Sequence, residues 1–256
     1  MKRLLHGALA KFDQAAFDSA GFPSFVRPRF AQIAGHEQVH VNFLSTALGA
    51  KATKPCVYNF PYTDVKSFVA LSQVFEGVGV SAYTGAARLI SNKDYLTAAS
   101  SVLATEARHA SWVAAAVNNY SGWGEAFDTP LDLDEVYTVA ATVIKSCPST
   151  NPTLPVHAFP PLSLGHVTAG SRARVEHTAA KTPTHVAFFS GLDKIFVPID
   201  GNSHVVVPQG LNGQVYAVAT TSLTEADDST IVAGPAVLDF ENDPEGRPLV
   251  RLVGTN

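Results

Sequence analysis

Charge is scarce in this sequence. Lys, Arg, Asp and Glu make up 16% of 256 residues and the net charge is −4. There is no basic field of the kind that binds nucleic acid or an anionic membrane surface. Long apolar runs are missing too, since none approaches the roughly 20 residues that cross a bilayer. The opening Met1-Lys2-Arg3-Leu4-Leu5 has the charge of a signal-peptide start, but its apolar stretch stops at Lys11 and Asp13. That is too short for the hydrophobic segment of an export signal. Cysteine is down to two, Cys56 and Cys147, neither in a C-x-x-C, which argues against a thiolate metal cage or a dithiol redox motif. Two buried thiols and one long-loop disulfide are both open. Against these shortages stands a 46% hydrophobic content, enough for a sizeable core and incompatible with disorder. The length fits one large domain or two ordinary ones.

Two rhythms divide the chain. Up to about residue 146 the apolar residues recur at helical spacing. Leu5, Ala8, Leu9, Phe12 and Ala16 predict a first helix ended by Gly21-Phe22-Pro23. Phe30, Ile33, Ala34, Val41, Leu44 and Leu48 predict a second, stopped by Gly49. Thr63-Asp64 and residues 92–94 offer caps for a third helix to about Ile90 and a fourth to about Val117, and a shorter helix covers 133–144. The proline-rich segment 147–155 reads as a linker. After it come short β-prone runs at 185–190, 194–199, 204–207, 214–221, 231–240 and 248–253, separated by Gly, Asn and Asp. The expectation is an α+β chain: a helical bundle over 1–146, then a small β-sandwich over 156–256.

Polar residues interrupt the helical stripes. In the second helix Glu37 and His40 stand where core residues belong, between Ala34 and Leu44. In the fourth helix Glu106 and His109 do the same between Val102 and Val113, and in the third Glu76 sits mid-stripe between Ser72 and Gly79. Residues at i and i+3 share a helix face, so each Glu-x-x-His offers one carboxylate and one imidazole to one point. A lone buried carboxylate is expensive and is kept when paired or bound to metal. Five ligands are thus expected to converge: Glu37, His40, Glu76, Glu106 and His109. Helical-bundle di-iron proteins use Glu-x-x-His on two helices and a lone Glu on the others. Oxygen and imidazole donors suit iron or manganese. The bland reading is a buried Glu–His hydrogen-bond network. His36-Glu37-Gln38-Val39-His40 also matches the zinc-peptidase pattern H-E-x-x-H, with Glu37 as base and Glu76 as third ligand, but it leaves Glu106 and His109 unexplained.

The segments 35–41, 58–62 (Tyr-Asn-Phe-Pro-Tyr), 76–83 and 106–109 together resemble the ferritin-like desiccation-related or starvation-response proteins, over residues 7 to about 146. The stretches 187–193 and 233–236 resemble the β-extension of fungal members. The resemblance implies a ferritin-like four-helix bundle and assigns the metal-ligand roles to Glu37, His40, Glu76, Glu106 and His109. It also implies export, a Cys56–Cys147 disulfide, and a part in stress response or secondary metabolism. The family's upstream carboxylate falls at or before Met1, so the first helix is shortened and the sixth ligand is missing. The functional expectation is a protein with two iron ions, or manganese, acting as an oxidoreductase on a small apolar metabolite. The alternatives are a metal-free enzyme using Glu37, Glu76 or Glu106 as acid–base groups, with no metal because of the missing carboxylate, and a non-catalytic stress or metal-handling protein. A small-molecule substrate and self-association are the partners expected, with no nucleic acid and no membrane.

Overall fold

The computed structural model describes residues 1–117 and 122–241. The expected strand at 248–253 lies outside the described residues. Helices α1 (Lys2–Lys11) and α2 (Gln14–Ser19) replace the single first helix. The break is chemical. Asp13 accepts a hydrogen bond from the Ala16 amide at 2.9 Å and so caps a new helix, while Phe12 adopts an extended backbone. Helix α3 (Val26–Leu48) ends at Gly49, whose φ of 54° few other residues tolerate. Helix α4 (Val65–Ala86) starts with a capping box, in which Ser67 N–H donates to Asp64 Oδ1 and Asp64 N–H to Ser67 Oγ. Helix α5 (Lys93–Trp112) is capped by Asn92 and continues into a π-helical turn, Val113–Val117. Helix α6 (Leu133–Ala141) stops short of the expected 144, because Ile144 is taken into a strand.

One core lies at one end of the bundle. Leu4, Leu5 and Ala8 of α1, Phe17 of α2, Phe30 and Ile33 of α3, Phe68 and Val69 of α4, and Val113 pack together. α1 covers only the first half of α3. Past His40 every residue of α3 is exposed, including Leu44 and Leu48 on the inward stripe. No described helix is long and apolar enough to cross a membrane.

Strands β1 (Val57–Tyr58) and β2 (Ile144–Ser146) form an antiparallel ladder, and the Cys56–Cys147 disulfide closes it at a sequence separation of 91. Chain entropy gives a loop of that size about 4–5 kcal/mol of stabilisation. The β-rich part is built on a four-stranded antiparallel sheet of order β10-β9-β6-β7, from β6 (His185–Ser190), β7 (Asp193–Pro198), β9 (Gly213–Thr220) and β10 (Ile231–Phe240). Val186 and Phe188 of β6 and Val215 and Ala217 of β9 face a core completed by two short ladders. These are β3 (Leu162–Ser163) with β5 (Glu176–His177), and β4 (Arg172–Arg174) with β8 (His204–Val206). The alternating residues Ala187, Phe189, Tyr216 and Val218 face the other way, onto Val78 of α4, Val139 of α6 and Leu131 just before α6. Burial on both faces explains the unbroken apolar runs of β6 and β9. The reduced sandwich therefore shares a core with the helices: Ser81 Oγ and Tyr216 Oη lie 2.8 Å apart across it.

Candidate metal centre

The site sits one turn beyond the apolar core on each of three helices. Ile33 leads to Glu37 and His40 on α3, Val69 and Ser72 to Glu76 on α4, and Val113 back to His109 and Glu106 on α5. All five predicted ligands are brought together. Glu76 is fully buried, and Glu37, Glu106 and His109 are 4–6% exposed. Each of these four offers one ligand atom within 4.8 Å of all the others. His40 joins from the rim: its Nδ1 is 3.3 Å from both Glu37 Oε1 and Glu106 Oε1. His109 Nδ1 is 3.3 Å from Glu76 Oε2 and 4.0 Å from Glu37 Oε1.

Three carboxylates packed this closely repel each other, and burial adds to the penalty. Burial, reinforced by the charge of Glu37, pushes the Glu76 carboxyl up to about 8. Burial and then the charges of Glu37 and Glu76 push Glu106 up to about 9. Burial holds the His40 and His109 imidazoles below their ordinary range, against the pull of the neighbouring carboxylates. The metal-free cluster thus favours protonated Glu76 and Glu106 beside neutral histidines. Six buried ligand atoms have no hydrogen-bond partner: Glu37 Oε1, His40 Nδ1, both oxygens of Glu76, Glu106 Oε2 and His109 Nδ1. Buried polar atoms are nearly always partnered, and these six face one another; with the carboxyls ionised and the imidazole lone pairs turned inward, all six are acceptors. A cation satisfies such a set, and oxygen with imidazole nitrogen fits iron or manganese.

Gly79 makes room for the cluster, since a methyl there would lie 2.9 Å from Glu106 Oε2. Tyr83, half-buried one turn on, is close enough that the charges of Glu106 and Glu37 add to burial in pushing its hydroxyl up to about 12. Tyr62 belongs instead to the apolar core, its ring 5.8 Å from Phe68 and 5.9 Å from Phe12. His36, the first histidine of the zinc-peptidase pattern, is not part of the buried four-residue cluster. The His36 ring lies edge to edge with that of His109, centroids 5.3 Å apart, with its Nδ1 3.0 Å from His109 Nε2. Sequence spacing gave no sign of this contact, because His36 is off the ligand face of α3 and its partner comes from α5.

Residues 4–119 match the family model of the ferritin-like domain. The helical half of this chain has a ferritin-like fold. The chain is also similar to Protein rds1 of Schizosaccharomyces pombe, 28% identical over 166 residues. That match takes in 63% of this chain and 40% of the yeast protein, so the chain spans well under half of that relative's length. The ferritin-like domain places Glu37, His40, Glu76, Glu106 and His109 on its three longest helices, α3, α4 and α5, with no carboxylate on α1.

Proposed function

We propose that the cluster holds two first-row transition-metal ions, iron or manganese, and that the protein is an oxidoreductase acting on a small apolar molecule. The observation that carries this reading is the set of six unpartnered, buried ligand atoms aimed at one another from three helices. Glu37, His40, Glu76, Glu106 and His109 would hold the ions, which when bound supply one-electron redox chemistry and a site for dioxygen. The chain's own residues prepare the place. Ile33, Val69 and Val113 seal the cluster from water on the core side. Glu76 and Glu106 give up their protons as a cation enters. Tyr83, held protonated, keeps a hydroxyl donor beside the carboxylates. On α3 and α5 Leu44, Leu48 and Tyr95 are exposed, and α3 carries no Asp, Glu, Lys or Arg after Glu37. Such an apolar surface favours an apolar visitor over a charged one.

A second reading rests on the raised carboxyl groups of Glu76 and Glu106: a metal-free enzyme in which a protonated Glu acts as general acid near neutral pH. Elemental analysis of protein purified without chelator separates the two. About two iron or manganese ions per chain are expected, with the content falling well below one in Glu106→Ala. Metal-free protein that refuses added iron and manganese would overturn the proposal and leave the acid–base reading.

A further inference from the structure

His109 has two ring nitrogens in different surroundings. Nδ1 faces Glu76 and Glu37 inside the cluster, and Nε2 is 3.0 Å from Nδ1 of His36 on the neighbouring helix. The two rings are 16° from parallel, and with centroids 5.3 Å apart they meet edge to edge through these nitrogens. An imidazole that gives a lone pair from Nδ1 must carry its proton on Nε2. That N–H then needs an acceptor, and the partner that fixes a ligating histidine's tautomer and ring angle is commonly as important as the ligand itself. His36 Nδ1 is in place to accept it, leaving the His36 Nε2–H to the exposed side of α3.

We infer that His36 is a positioning residue: by accepting from His109 Nε2 it holds the His109 Nδ1 lone pair on the carboxylate cluster and so sets the affinity of that cluster for a divalent cation. This inference rests on the metal-binding reading above. It also gives His36 a role other than zinc ligand, although it occupies the first position of the H-E-x-x-H pattern. Two physical contributions are separable here, the ring's bulk beside His109 and the hydrogen bond. His36→Phe keeps an aromatic ring beside His109 and removes the acceptor. His36→Asn removes the ring and keeps an acceptor near the Nδ1 position. His36→Ala removes both.

Cobalt(II) titration of the full chain, followed by the visible absorption of the bound ion, reads affinity and coordination directly, with circular dichroism as the control for folding. His36→Ala and His36→Phe are expected to bind cobalt(II) about 10–100-fold more weakly than the wild type, and His36→Asn within a few-fold of it. His36→Phe binding like the wild type, or Asn failing as badly as Ala, would overturn the inference and leave a packing contact. Wild-type affinity in all three variants would overturn it too while leaving the metal reading standing. A wild-type chain that binds no cobalt(II) would sink the metal reading and the inference together.

Discussion

Metal-free protein is expected to lose stability steadily as the pH rises from about 5 to about 9, and metal-loaded protein is not. The cause lies in Glu76 and Glu106. In an unfolded chain a glutamate titrates near 4.5; folded, these two are pushed up to about 8 and about 9. Between those limits the native state holds more protons than the unfolded state, so unfolding free energy falls by about 1.4 kcal/mol per pH unit for each such carboxyl. Their contribution is fully present below pH 4.5 and is lost as the pH passes through the folded values. The protons leave the facing carboxyls as a pair, so the curve reports the pair and not either residue alone. Glu135 at the start of α6, pushed up to about 7 mainly by burial, bends the curve the same way. The readout is therefore the difference between wild type and a Glu76→Gln, Glu106→Gln double variant, by urea unfolding at several pH values with chelator present. The double variant should be markedly flatter. A wild-type curve that is flat or rising would mean that the carboxylates are relieved in some other way than by protonation. With iron or manganese present the slope should reverse, because the ion competes with protons and its stabilisation grows as they leave.

The buried Glu–His cluster could be read in the sequence because it breaks a local rule. Glu37 with His40 and Glu106 with His109 stand on inward faces, and the i, i+3 spacing fixes that without knowledge of the tertiary fold. Other features depend on which element covers which. The apolar stripe of α3 continues through Leu44 and Leu48 as though buried, yet these side chains are exposed because α1 reaches only the first half of α3. Asp13 splits the first helix because a side-chain cap outcompeted apolar periodicity over one turn. Runs such as 185–190 read correctly as strand. That one face would meet short ladders and the other α4 and α6 was not encoded in period or composition. His36 was missed for the same kind of reason: its partner is 73 residues away, and nothing local marks the pair.

Two glycines on α4 should respond in opposite ways to the same added methyl. Gly85 lies under the backbone of Leu131. A methyl there would fall within the van der Waals radius of the Leu131 carbonyl oxygen, 2.7 Å from its carbon and 3.1 Å from its nitrogen. That segment cannot easily retreat, since Leu131 N–H donates to Ser81 O at 3.2 Å and its side chain is buried against the sheet. Gly85→Ala is expected to destabilise the protein by about 3 kcal/mol, despite the better helix propensity of alanine. For a chain of this size that lowers the melting temperature by roughly 10 °C. Gly79 meets only the end of the Glu106 side chain. There the carboxylate swings away and the helix gains about 1 kcal/mol of propensity, so Gly79→Ala should melt at or above the wild-type temperature. Its cobalt(II) affinity should fall about 10-fold or more, because a displaced carboxylate no longer meets the other ligands. Thermal melts and cobalt(II) titrations on both variants separate fold from site. If Gly85→Ala melts like the wild type, the close crossing of residue 131 over α4 is wrong. If Gly79→Ala keeps full affinity, Glu106 does not need its present position to hold the ion.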